Sequence, residues 1–127
     1  MEFPDLPRDI LDEVRRVCID LPEAQESETS TGSTFTIRRR VFCHAFAVED
    51  PAGREISMMV CRADPEERHA LLATGHPFFA PRSGIDRIGI VLSNTTAWTE
   101  IGELVTESYR LLAPKKLAEQ FEPPGAG

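Results

Sequence analysis

Three histidines, three cysteines and a scatter of arginines are the side chains with which this sequence could do chemistry. A hydrolase or transferase needs a nucleophile with a base in reach, or a set of ligands around a metal. His44 falls in an apolar alternating stretch, His69 in a helical one and His76 in a loop. No His-Glu-x-x-His spacing brings two of them together. His76 stands beside Pro77 and near Arg82 and Asp86, which makes it a candidate site residue or, more plainly, a residue that hydrogen-bonds its own loop. Cys18, Cys43 and Cys61 are far apart and form no Cys-x-x-Cys pair, so neither a zinc ribbon nor a redox motif is available. Their apolar neighbours suit buried small hydrophobes in a reducing compartment. No glycine-rich phosphate loop is present, and the carboxylates pair in no expected cleft. The pattern predicts a non-enzymatic protein with no catalytic residue, no metal and no cofactor.

The cations suggest binding instead. Arg38, Arg39 and Arg40 are consecutive, Lys115 and Lys116 are adjacent, and Arg82, Arg87 and Arg110 stand singly. An arginine-bearing hairpin can enter a groove of DNA as a wing, its guanidinium groups meeting phosphates. These eight residues are the candidate nucleic-acid contacts, against the plainer reading of a solvated turn. About half a dozen phosphate contacts would give a steep salt dependence. The overall charge argues the other way: it is −7, with a pI near 4.9, whereas nucleic-acid-binding proteins usually show a basic balance. The alternative is a module for a small ligand, protein or peptide. It would use the loop from His76 to Arg87, where Phe78 and Phe79 beside an exposed sheet face form a shallow apolar pocket edged by arginines. Otherwise these two rings fill the margin of the core.

These residues need elements to hold them. A first helix is expected from about Leu6 to Ile19, with Asp5 as its N-cap, Pro7 in its first turn, and Ile10, Leu11, Val14, Val17, Cys18 and Leu21 on one face. The polar stretch 23–34 is a solvated segment or a short edge strand whose glutamates discourage edge pairing. Residues 34–37 and 41–48 read as a hairpin with all three arginines at its tip, and Phe42, Phe46 and Val48 on a common side. A turn at 49–53 leads to a strand from Glu55 to Cys61, with Ile56, Met58 and Val60 on one face. Asp64, Pro65 and Glu67 open a short helix over Ala70, Leu71 and Leu72, and Gly75 closes it. A long loop, 76–87, precedes a strand at 88–92. Ile101, Leu104, Val105, Ser108, Tyr109 and Leu112 then form one continuous helical stripe. Pro114 stops that helix, and Lys115 and Lys116 follow at the end where its dipole favours cations.

The order α, three or four strands, α, one strand, α predicts a two-layer α+β sandwich, an antiparallel sheet with helices on one face. The length suits one domain, taken as residues 1–121 with a flexible Pro/Gly-rich tail at 122–127. There is no long apolar run and no basic, apolar start. The expectation is therefore a cytoplasmic monomer that engages no membrane.

Several stretches resemble one family. They are Thr34-Phe35 leading into the hairpin, His76-Pro77-Phe78-Phe79, Trp98 opening the last helix, and above all Ser108-Tyr109-Arg110-Leu111-Leu112-Ala113-Pro114-Lys115-Lys116-Leu117. Together they are similar to the MmcQ/YjbR-like proteins over roughly Ile10 to Leu117. The resemblance implies an antiparallel sheet with helices on one side, related to CyaY-like and secretion-chaperone-like folds. Many members carry a DNA-binding label from a likeness to a double-wing arrangement, and no catalytic residues come with the family. Two aromatic positions differ here. Thr31 and Ser33 stand where relatives often have Trp and Pro around a glycine, and Arg87-Ile88 stands where a Gly-Trp pair usually begins the last strand.

Overall fold

The computed structural model describes residues 4–82 and 84–119, so the tail at 122–127 lies outside the described residues. The first helix, α1 (Arg8–Ile19), buries Ile10, Val14 and Cys18 at successive four-residue steps, the spacing that keeps side chains on one helical face. Pro7, not Asp5, occupies its N-cap, and no side chain caps it. Proline lacks the N–H that a helix start would leave unsatisfied and presets the entry angle.

Six strands follow, interrupted by one helix: β1 (Gln25–Glu28), β2 (Gly32–Ile37), β3 (Arg40–Glu49), β4 (Glu55–Arg62), α2 (Pro65–Thr74), β5 (Phe78–Phe79) and β6 (Arg87–Leu92). They form one sheet in the order β1-β2-β3-β4-β6-β5, antiparallel at every pairing. The acidic edge strand is pinned through Glu26, which accepts from Arg15 Nε at 2.9 Å and from Ser33 Oγ at 2.6 Å. Part of the expected long loop is instead the two-residue β5, where Phe78 pairs with Ile90 and Phe79 with Gly89. So short a strand leaves no alternation to read.

The hairpin tip holds two arginines rather than three. Arg38 and Arg39 have φ of 50° and 69°, the left-handed pair that a two-residue turn needs to follow the strand twist. Arg40 already pairs with Ile37 in the ladder. The register then slips between Phe35 and Thr36, from Phe35↔Cys43 to Thr36↔Val41. This bulge leaves Phe42 as an extra residue on β3, fully buried beside its neighbour Cys43. Phe42 therefore does not share a side with Phe46 and Val48, contrary to the simple alternation.

α2 begins as its sequence predicts. Asp64 Oδ1 accepts from the Glu67 N–H at 2.9 Å, and Gly75 ends the helix with φ of 84°. It buries no residue: Leu71 and Leu72 are half-buried against the core edge and Ala70 is exposed. The long helix α3 (Trp98–Leu112) buries all six residues of its stripe. Ala113 is extended ahead of Pro114, as the residue before a proline prefers. Lys115 and Lys116 do not trail off α3; they open a further helix, α4 (Lys115–Glu119), which places Leu117 in the core.

Helices α1 and α3 pack on one face of the sheet, against β2, β3 and β4. Between the layers lie Phe35, Ile37, Phe42, Met59, Ile88 and Ile90, all without exposed surface. Cys18, Cys43 and Cys61 are free thiols within this core. A hydrogen bond with Cys18 and burial push the Cys43 thiol up, and burial pushes up that of Cys61. The Tyr109 hydroxyl donates to the Pro22 carbonyl at 2.8 Å, and its ring meets Phe42 edge-on. No helix among the described residues is long and apolar enough to cross a membrane.

Candidate binding surface on the open sheet face

Among the described residues, no helix lies over the second face of the sheet. In a strand, successive side chains point to opposite faces, so β3 and β4 each present two sets. On the covered side β3 places Cys43, Ala45 and Ala47; on the open side it places His44, Phe46 and Val48. β4 likewise buries Ser57, Met59 and Cys61, and turns Ile56, Met58, Val60 and Arg62 outward. Past the bulge, from Cys43 to Val48, the larger side chains of β3 face away from the helices, whereas Phe42 faces them.

Cross-strand pairing sorts this face into rows. Arg62 stands opposite Arg87, then His44 opposite Val60, then Phe46 opposite Met58, then Val48 opposite Ile56. Gly89, opposite Val60, lets the Phe79 ring lie close against the sheet: a Cβ at Gly89 would come within 2.3 Å of that ring. His44 and Phe46 stack obliquely, with centroids 4.7 Å apart and planes at 35°. Burial holds His44 below the ordinary histidine range, so it is a neutral ring near neutral pH. All of these side chains but Ile56 line an open trough of about 870 Å³, with Pro81, Arg82 and Arg87 at one end. The volume falls in the range of small-molecule sites.

The arginine end is built with care. The Ser108 hydroxyl donates to the Phe42 carbonyl at 2.5 Å and accepts from the Arg62 N–H at 2.7 Å. The β3–β4 ladder ends at Cys43–Cys61; one step further a side chain from α3 bridges the two strands and fixes the backbone of Arg62. Arg62 pairs with Asp86. Arg87 lines the trough and receives Arg68 Nε on its carbonyl at 2.8 Å. Its own Nε is buried without a hydrogen-bond partner; Asp86 lies 3.9 Å away, an ion-pair distance too long for a hydrogen bond.

The expected site residues divide between places. Phe79, Arg82 and Arg87 join the trough. His76 and Phe78 do not: they line a separate hollow of about 440 Å³ with Ser93, Thr96 and Glu100, and Phe78 packs against the core. Arg38 is held by Glu23 at 2.7 Å. Arg39 is exposed at the tip, and Arg40 reaches the Leu112 carbonyl at 3.5 Å. Arg110 meets Glu107 at 3.4 Å on α3, and Lys115 and Lys116 are exposed on α4. The hairpin tip, the Arg62–Arg87 pair and the C-terminal end of α3 all lie at the same end of the sheet, as the strand registers and the Ser108 and Arg40 bonds require. His44, Phe46, Val48, Met58, Val60 and Arg62 were not singled out as site residues. The signal was the two-sided hydrophobicity of β3 and β4.

The family model described as YjbR matches residues 19–111. Among solved structures, the chain is similar to a Deinococcus radiodurans protein with a DUF419 domain, at 19% identity and a TM-score of 0.63. That likeness covers 92% of this chain and 94% of the other, and at such identity speaks to the fold. No curated protein sequence matches the chain.

Proposed function

This chain belongs to the YjbR family, and from that premise we propose that it is a non-catalytic binding module whose working surface is the open face of its sheet. The observation that carries this reading is the inversion on β3. From Cys43 to Val48 the larger His44, Phe46 and Val48 stand on the uncovered side and the small Cys43, Ala45 and Ala47 on the covered one, where Phe42 at the bulge is the one large ring. Burying His44, Phe46 and Val48 would gain more hydrophobic free energy than burying the small set. A contiguous apolar patch rimmed by charge marks an interaction site.

A second reading, contact with DNA, is favoured by the gathering of arginines and lysines at one end of the sheet. Against it stand the ties of Arg38 to Glu23 and Arg110 to Glu107 and the net charge of −7. A polyanion also needs cations along its track, and the trough has them at one end.

The two are separable. A thermal-shift screen of small molecules is run beside methyl NMR of Met58 and Val60. Compounds that stabilise the protein should move those methyls, and both effects should vanish in Phe79→Ala. A screen that leaves both methyls unmoved, while duplex DNA at low salt shifts the Arg39 and Arg40 amides, would replace the first reading with the second.

A further inference from the structure

The order of groups along the trough specifies a ligand class, an inference that rests on the open face being the binding surface. Arg62 and Arg87 form the first row, with Arg82 beside them. His44, Val60 and the Phe79 ring form the second, Phe46 and Met58 the third, and Val48 the last. From Arg62 to Ile56 the face runs about 20 Å, at roughly 3.3 Å per residue. It passes from cation to aromatic ring to aliphatic chain.

From this order we propose that the trough takes a single-chain amphiphile with one carboxylate head. The head would sit on Arg87 and Arg82, and the apolar tail would run over Phe79 and Phe46 toward Val48. Two features point to an anion at that end. Three arginines share one carboxylate, Asp86, which pairs closely with Arg62 and lies at 3.9 Å from Arg87 Nε. The buried Nε of Arg87 has no hydrogen-bond acceptor, and a buried donor left unpaired is costly. A guanidinium presents parallel N–H groups that match a carboxylate edge. Beyond the first row the walls contain, among the described residues, no further arginine or lysine, and Glu49 stands at the far end. A nucleic-acid strand, with a phosphate on every nucleotide, would find no partner for its later charges. A single anionic head with an uncharged tail leaves no charge of the ligand unmatched.

The test is titration with dodecanoate below its micelle concentration, followed by the Met58 and Val60 methyls and the side-chain Nε–H of Arg87. Dodecanoate should move all three, and Arg87→Gln should weaken binding at least tenfold while the backbone spectrum stays folded. Dodecyltrimethylammonium should bind at least tenfold more weakly, and acetate should leave the Met58 methyl in place. Should Arg87→Gln fold poorly, Arg82→Gln is the second variant, with a loss of several-fold expected. Equal binding of the cationic amphiphile, indifference to both arginine variants, or tighter binding of a short oligothymidylate or of anionic vesicles would each overturn the proposal. If dodecanoate leaves the Met58 and Val60 methyls unmoved while another compound shifts them, the ligand class falls and the binding surface stands.

Discussion

Replacing Ser108 by alanine removes one hydroxyl that serves two backbone groups. The Phe42 carbonyl loses its donor and the Arg62 N–H its acceptor, at a residue with no exposed surface. The β3–β4 pairing ends at Cys43–Cys61, so the two groups could pair with each other only after a shift of the strands. An unsatisfied buried backbone group costs about 1–3 kcal/mol. Allowing for partial relaxation, the variant should lose about 2–3 kcal/mol. Unfolding entropy of about 2.1 cal/mol/K per residue gives ~4 °C per kcal/mol for a chain of this length, hence a fall of about 8–11 °C in melting temperature. Calorimetry measures this, and hydrogen exchange should show the Arg62 amide losing protection. A loss under ~0.5 kcal/mol with that amide still protected would mean that the strands close directly and the hydroxyl is dispensable.

Three glycines separate into opposite outcomes under alanine substitution. At Gly102, in the interior of α3, an added Cβ meets nothing closer than 3.5 Å, and urea unfolding should show a gain of about 0.5–1 kcal/mol. At Gly32 the same Cβ would lie 2.0 Å from the Ala45 carbonyl oxygen, so Gly32→Ala should lose about 3 kcal/mol or more in the same assay. Gly89→Ala should drive the Phe79 ring off the sheet, seen as a shift of its ring resonances and of the Val60 methyls. His44 sets a pH dependence. Its folded pKa lies below the unfolded value of about 6.5, so its contribution is whole above that value and is lost as pH falls toward the lower folded pKa. Between about pH 7.5 and about pH 5 the wild type should therefore lose more stability than His44→Gln in urea titrations.

Residues close in sequence carried most of the fold. The stripe of α3, the Asp64 cap, the Gly75 stop and the break at Pro114 depend on neighbours within a turn or two, and each was readable from the chain alone. So were the antiparallel two-layer class and the burial of the three cysteines. The faces of the strands were another matter. Period-two alternation in β3 and β4 says which residues share a side, but not which side the helices cover. That was decided by the bulge at Phe42, which arises only when β2 and β3 pair, and by Ser108, distant in sequence, which bridges Phe42 and Arg62. The arginines were visible as a list, yet their sorting required the registers. Arg87 comes opposite Arg62 through strand pairing, Arg40 turns to the end of α3, and Phe79 reaches the open face because Gly89 leaves room for its ring. The loop from His76 to Arg87 held part of the site. Its other wall is an outward row of apolar side chains whose exposure only the tertiary structure reveals, because local periodicity is the same for a buried face and an open one.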